Sequence, residues 1–120
     1  MKTSSREMDD KRIIEIASEC CDLLIEKKGE KISLLDLRKV NSFLDYFIIC
    51  NGNSRVHGRS LAKEAERFFS SVPFKVRSIS DLSSDWIILD YNEIVVHIFT
   101  EEMRSYYDLD RLWSDAEKIV

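Results

Sequence analysis

The sequence contains few of the residues that interrupt regular structure. Among its 120 residues are three glycines and one proline. Flexible linkers and low-complexity tracts are rich in glycine, serine or proline, so this composition excludes them. Because the length is that of one domain, we predict a loose polar tail over residues 1–8 and a single domain over residues 9–120.

The chain also lacks a long hydrophobic run and a surplus of positive charge. No stretch approaches the roughly 20 apolar residues that span a bilayer, and the first ten residues have no apolar core of a signal peptide. Acidic residues outnumber basic ones, 22 against 18, which gives a net charge of −4. We therefore predict a cytoplasmic protein that binds neither a membrane nor a specific nucleic-acid sequence.

Cysteine is scarce and unsuitably spaced for a disulfide scaffold or a metal site. The three cysteines are Cys20, Cys21 and Cys50, an odd number. Adjacent side chains on a helix point about 100° apart, so Cys20 and Cys21 are poorly placed to hold one ion together. We predict buried reduced thiols, no metal and no cofactor.

Hydrophobic periodicity predicts an α/β fold. Helices are predicted over residues 6–28, from about residue 55 to Pro73, and over residues 109–119. Strands are predicted over residues 32–37, 46–50, 74–77, 86–90 and 94–99. Asn92 can take the positive φ of the turn that joins the last two strands. The order α-β-β-α-β-β-β-α predicts a single mixed sheet of about five strands flanked by helices.

Residues 52–54, Gly-Asn-Ser, are the main sequence hint of catalysis. A Gly-Ser element between a strand and a helix resembles the phosphate cradle of nucleotidyltransferase-type folds. Such enzymes also need two carboxylates one residue apart on a following strand to hold Mg²⁺. The only nearby pair, Glu64 and Glu66, is splayed by about 200° on a predicted helix. We therefore interpret residues 52–54 as a turn and a helix cap, and keep a nucleotide-binding or nucleotidyltransferase-like enzyme as the alternative.

Acidic and aromatic residues are concentrated in the last third of the chain. Residues 81–117 contain ten acidic and two basic side chains, a net charge of −8, whereas residues 55–77 carry +4. The acidic stretch also contains Trp86, Tyr91, Tyr106, Tyr107 and Trp113. Tryptophan and tyrosine dominate protein–protein hot spots. This pattern favours an acidic, aromatic face that meets a basic protein, with a merely solvated acidic face as the alternative.

Motifs in two regions resemble those of one family, the ribosomal silencing factor (RsfS, iojap-like) family. The C-terminal signature corresponds to SDWIILD at residues 84–90, VVHIF at residues 95–99, and Arg104, Tyr107, Leu109, Asp110, Leu112 and Trp113. The central motif corresponds to DYFIIC at residues 45–50, followed by Gly52, Ser54 and His57. The sequence departs from the family pattern at Asn92, where glycine is usual, and at Gly58, where a larger residue is common.

The resemblance implies a nucleotidyltransferase-like topology without the active site, in a factor that is not an enzyme. It implies binding to the large ribosomal subunit through ribosomal protein L-fourteen, which blocks subunit association and represses translation under nutrient limitation or in stationary phase. It also implies a homodimer when the protein is free. The residues expected to contact the partner are Trp86, Asp85, Asp90, Tyr91, His97, Arg104 and Tyr107. Trp86 is the expected anchor, and Trp113, on an apolar stripe, is the expected core tryptophan.

Overall fold

A computed structural model describes the backbone of residues 4–120 and the side chains from Asp10 onward. Its elements are α1 (Ser4–Glu26), β1 (Glu30–Asp36), β2 (Tyr46–Gly52), α2 (Arg55–Ser70), β3 (Ser78–Ile79), β4 (Trp86–Asp90), β5 (Ile94–Thr100), α3 (Glu101–Tyr107), α4 (Leu109–Leu112) and β6 (Glu117–Lys118). Over these residues the strands form one sheet in the order β3-β4-β5-β2-β1-β6. The predicted α/β class with a single mixed sheet is confirmed, with six strands rather than about five.

The sheet is mixed because β2 and β5 pair in parallel while their outer neighbours pair antiparallel. The central strand β2 is buried along its whole length, as its continuous apolar sequence predicts. Helices α1 and α2 cover one side of the sheet, which we call the helix-covered face. Their apolar stripes bury Ile16, Leu24 and Leu61 against the strands, and this burial is what stabilises both helices.

Helix α1 begins at Ser4 and ends at Glu26, against a predicted range of 6–28. Residues 1–3, the first part of the predicted tail, lie outside the described residues. At the other end the Gly29 N–H donates to the carbonyl of Leu24 at 2.7 Å. A Cβ on Gly29 would lie 2.5 Å from the Cys50 sulfur, so only glycine lets the chain pass this close to β2.

The three cysteines are buried free thiols, as predicted. Burial raises the pKa of Cys21 and of Cys50 to about 12, and raises that of Cys20 as well. Thiols held in the neutral form are poor nucleophiles and poor metal ligands.

The strand predicted over residues 74–77 is wrong, and β3 lies just beyond it at Ser78–Ile79. After Pro73 the chain must first cross from the helix layer to the sheet edge. Phe74 packs on the Phe69 ring of α2, with centroids 6.1 Å apart. Sheet hydrogen bonding begins only at Arg77, whose N–H donates to Asp90 at 2.7 Å.

The closing helix predicted over residues 109–119 is also wrong. Helix α3 comes earlier than predicted, and Asp108 then takes a left-handed conformation with φ 46° that ends it. Helix α4 is a single turn, and the chain continues into β6, which pairs with β1. Leu109, Trp113 and Ala116 do pack on the sheet, so their spacing reflects a tight turn followed by a strand.

The turn between β4 and β5 is confirmed. Asn92 has φ 69°, and its N–H donates to the Asp90 carboxylate at 2.8 Å. Asparagine therefore supplies the left-handed position that this turn requires.

Candidate partner-binding face

The side of the sheet opposite α1 and α2 is only partly covered. Helices α3 and α4 and the segment that follows bury Leu35, Leu37 and Ile49 near β1 and β2. Towards β4 and β5 the sheet is less covered. There Trp86, Ile88 and Asp90 of β4 and Val95 of β5 are half-buried, and Tyr107 of α3 borders them. We call these five residues the open face.

Trp86 lies within a cluster of rings at the border of the open face. Its ring is stacked on Phe99, which is its partner across β4 and β5, with centroids 5.0 Å apart and an interplanar angle of 26°. The Tyr107 ring lies 4.7 Å away at 47°. Trp86 is therefore both part of the packing and part of the surface.

Trp113 is half-buried too and packs on Phe47 at 6.3 Å. The expected division into a surface tryptophan and a core tryptophan is thus not observed. Both indoles are anchored in the same ring-rich cluster on this side of the sheet.

His97 lies beneath Trp86 and is 5% exposed. The indole N–H of Trp86 donates to His97 Nδ1 at 3.0 Å, and the Phe47 ring packs on the imidazole with centroids 4.4 Å apart. Burial lowers the pKa of His97 to about 4, so the ring is neutral at physiological pH. Because Nδ1 accepts, the proton resides on Nε2, which has no hydrogen-bond partner among the described residues. The interpretation of His97 as a hydrogen-bonded structural histidine fits this geometry.

Asp85 and Asp90 lie at opposite ends of β4. Asp85 accepts two hydrogen bonds from the Arg55 guanidinium, at 2.8 and 3.0 Å, and this pairing lowers the pKa of Asp85. Asp90 receives the Asn92 N–H in the turn. Asp90 lies on the same side of β4 as Trp86 and Ile88 and is part of the open face. The negative charge of Asp85, in contrast, is paired with the positive charge of Arg55.

Tyr91 lies on the helix-covered face rather than the open face. It is 3% exposed and stacks on Phe69 with ring centroids 4.1 Å apart. The sequence could have predicted this placement of Tyr91. Strand residues alternate between the two faces of a sheet, and Tyr91 continues the series of Ile87 and Leu89. The same alternation groups Ile88 and Val95 with the open face, which the sequence interpretation had missed.

Arg104 is buried and its donors are used inside the protein. The guanidinium binds both carboxylate oxygens of Asp110, at 2.9 and 3.2 Å. It also donates to the carbonyl of Lys31 at 2.6 Å and to Asn51 Oδ1 at 2.9 Å. Arg104 thereby fastens α3 and α4 to β1 and β2, and it does not reach the open face.

Ion pairs inside the chain reduce the acidic surplus of residues 81–117. Asp85 pairs with Arg55 and Glu101 with Lys31 at 3.8 Å, and both basic residues lie outside that stretch. The charge offered to a partner is therefore smaller than the sequence count of −8 suggests.

Residues 52–54 serve packing and capping. A Cβ on Gly52 would lie 2.8 Å from the Gly58 nitrogen, so glycine allows the first turn of α2 to approach the end of β2. Ser54 Oγ accepts the His57 N–H at 3.0 Å and caps α2. His57 accepts from the Asn53 N–H at 2.9 Å and donates from Nε2 to the Lys27 carbonyl at 3.0 Å, which joins the ends of α1 and α2.

The described part of the chain offers no obvious place for a metal. Within it, no group of three or more histidine, cysteine, aspartate or glutamate side chains is arranged to hold an ion. Nor does it include a helix that is long and apolar enough to cross a membrane.

Comparison with known proteins agrees with this architecture. The model of the family described as "Ribosomal silencing factor during starvation" matches residues 10–120. The chain is 34% identical over 110 residues to the ribosomal silencing factor RsfS of Bacillus subtilis, and the match covers 91% of both proteins. It is 25% identical to the chloroplastic protein Iojap of Zea mays, with 92% of this chain and 49% of that protein covered. Among solved structures, a crystal structure of a protein from Chromobacterium violaceum matches with a TM-score of 0.80 and 27% identity, covering 85% of this chain and 86% of that one.

Proposed function

Since the chain belongs to the ribosomal silencing factor family, we propose that it binds the large ribosomal subunit by placing its open face on ribosomal protein L-fourteen. A protein held there blocks association with the small subunit. Translation is then repressed under nutrient limitation or in stationary phase. The chain acts on ribosomes in the cytoplasm.

The observation that carries this proposal is the uncovered half of one sheet side. Ile88 and Val95 are half-buried next to Trp86 and to Tyr107, whose exposed fraction is 47%. Apolar and aromatic side chains grouped on an otherwise charged surface are typical of a protein-binding site. The rings of Trp86 and Tyr107 supply large, rigid contact area of the kind that forms hot spots.

The charge of this region favours a basic partner. Asp90 is part of the open face, and Glu102 and Asp108 are exposed on or next to α3, which borders it. Ribosomal proteins meet a highly anionic RNA, so a basic surface on the partner is expected, and opposite charges speed the encounter.

We propose that silencing is a matter of occupancy and involves no chemical turnover. Residues 52–54 are used for packing and capping, which supports this view over the alternative of a nucleotidyltransferase-like enzyme. In the absence of the ribosome, two copies pair through the open face, because the same apolar surface would otherwise remain in water.

The test compares two substitutions of an aliphatic side chain by arginine. Ile88→Arg places a cation in the middle of the open face, where it repels a basic partner and blocks close packing. Val56→Arg makes the same change on α2, at a position that is 80% exposed and away from that face. We expect Ile88→Arg to weaken binding to purified L-fourteen at least tenfold and to stop co-sedimentation with large subunits, whereas Val56→Arg behaves like the unmodified protein.

Circular dichroism melting of both variants confirms that they are folded before binding is measured. Equal binding by Ile88→Arg and Val56→Arg would refute the assignment of the open face. Binding of the unmodified protein to large subunits, but not to isolated L-fourteen, would refute the assignment of the partner.

A further inference from the structure

Trp86 is held by ring stacking and by one directional contact. Stacking on Phe99 at an interplanar angle of 26° fixes the plane of the indole, but a half turn about the Cβ–Cγ bond would keep that plane and exchange the ring edges. The hydrogen bond from the indole N–H to His97 Nδ1, at 3.0 Å, removes that freedom because N–H···N bonds require near-linear geometry. Together the two contacts determine which edge of the indole faces the solvent.

The acceptor that holds Trp86 is itself buried and packed. His97 is a β5 residue opposite Ile88, buried at 5% exposure and packed against Phe47 of β2 at 4.4 Å. The Phe99 ring also lies near it, with centroids 6.3 Å apart and the planes 14° from parallel. The imidazole therefore presents Nδ1 from a fixed position in the sheet.

We propose that His97 is the positioning residue for Trp86: its unprotonated Nδ1 locks the indole in the orientation that the partner recognises. His97 does not touch the partner in this arrangement. It lowers the cost of binding, because the tryptophan side chain has already lost its rotational freedom before the partner arrives.

The arrangement also determines what Trp86 can recognise. Its only polar atom, Nε1, is already bonded to His97, so the exposed part of the indole offers the partner apolar ring surface and no hydrogen-bond donor. The complementary feature is an aliphatic chain or a cationic side chain laid on the ring. A lysine or arginine of a basic protein satisfies both descriptions.

The inference rests on the proposed function, and two substitutions of His97 test it separately. Asparagine places its Oδ1 close to the site of Nδ1 and keeps an acceptor, whereas leucine has a similar branched shape without one. We expect His97→Leu to weaken binding to purified L-fourteen at least tenfold and His97→Asn to restore most of that loss. In a Trp86→Phe background, which has no indole N–H, the two His97 variants should bind with affinities that differ less than twofold.

A measurement on the unmodified protein does not depend on how the variants fold. With ¹⁵N in tryptophan and histidine, NMR detects the scalar coupling between Trp86 Nε1 and His97 Nδ1 through the hydrogen bond. We expect this coupling in the free protein and in its complex with L-fourteen.

The possible outcomes distinguish failure of the positioning role of His97 from failure of the proposed function. Loss of the coupling in the complex, or equal binding by His97→Leu and His97→Asn, overturns the positioning role of His97. Unchanged binding by both Trp86→Ala and Ile88→Arg overturns the proposed function instead.

Discussion

Arg104 illustrates how one side chain can be misread at the residue scale. The family signature includes it, and an arginine in an acidic region suggests a surface contact. In the structure its guanidinium joins α4, β1 and β2 through Asp110, Lys31 and Asn51. Its position in the signature is thus explained by the attachment of α3 and α4 to the sheet.

Replacing Arg104 by lysine should therefore lower stability even though the charge is kept. A lysine cannot reproduce the two-pronged contact with Asp110 and also reach Asn51. We expect a loss of about 2 kcal/mol in the free energy of unfolding, measured by urea denaturation. The exposed Arg59 serves as the control, and Arg59→Lys should change stability by less than about 0.5 kcal/mol. Equal stability of the two variants would contradict the role of Arg104.

Burial of His97 should make the folded protein sensitive to acid. Its pKa is lowered from 6.5 to about 4 by desolvation. Between these values the unfolded chain binds a proton that the folded protein does not, so the free energy of unfolding falls as the pH drops from 6.5 to 4. The total loss is about 3 kcal/mol, and it is absent above pH 6.5.

Urea denaturation at a series of pH values measures this slope, and His97→Asn should flatten it. Asp36, whose pKa is lowered by the hydrogen bond from Arg38, adds its own loss only at more acidic pH. A slope between pH 6.5 and 4 that is the same with and without His97 would exclude this residue as its source.

At the scale of elements, patterns that reflect burial were predictable from the sequence. Strands β2, β4 and β5 and helix α2 follow continuous or periodic apolar residues, and the predicted positions are close to those observed. Strand β6 was not predictable, because Glu117 and Lys118 are exposed and their pairing with β1 uses backbone groups alone. The end of α3 at Asp108 was not predictable either, because Asp108 takes the left-handed conformation that glycine usually supplies there.

In the candidate site, too, some features were predictable from the sequence and others were not. The sequence indicated Trp86 and Tyr107 because tryptophan and tyrosine are typical of hot spots, and Asp90 because it belongs to the acidic segment and ends the family motif. It could not reveal that His97 holds Trp86, because that contact runs diagonally between strands whose register the sequence did not fix. Nor could it reveal that Asp85 is paired with Arg55, which lies 30 residues away in the chain.

Two glycines, one at the end of β2 and one in the first turn of α2, should respond oppositely to alanine. A Cβ on Gly52 would lie 2.8 Å from the Gly58 backbone nitrogen, whereas one on Gly58 would meet Ile98 at an ordinary 3.7 Å. We expect Gly52→Ala to lower the unfolding free energy by at least about 1 kcal/mol. Gly58→Ala should raise it by about 0.5–1 kcal/mol, because alanine favours the helix. Thermal melts of both variants check this, and a stabilised Gly52→Ala would contradict the close approach of β2 and α2.

At the scale of the whole molecule, charge should affect the rate of encounter more than the lifetime of the complex. Exposed charges are screened beyond about 8 Å at physiological ionic strength. We expect the association rate with L-fourteen to fall at least about threefold between low and high salt, while the dissociation rate changes little. Stopped-flow fluorescence of Trp86 and Trp113 measures both rates.

Two substitutions of aspartate by asparagine test which negative charge affects the association rate. Asp90→Asn removes one negative charge from the open face, and Asp22→Asn removes one from the exposed surface of α1. The first should reduce the salt dependence of the association rate and the second should not. An association rate that is independent of salt in the unmodified protein would leave recognition to shape and apolar contact.

The pairing of β6 with β1 bears on how long the protein remains in solution without aggregating. Beyond its two register pairs, Ile119 donates to the Leu34 carbonyl at 2.7 Å, so this short segment occupies hydrogen-bonding groups that an edge strand would otherwise present to its surroundings. Removing residues 116–120 would leave β1, whose Leu34 and Leu35 are buried, free to accept a strand from a neighbouring molecule. On prolonged storage the truncated protein should form aggregates that bind thioflavin T, at concentrations where the full chain forms none.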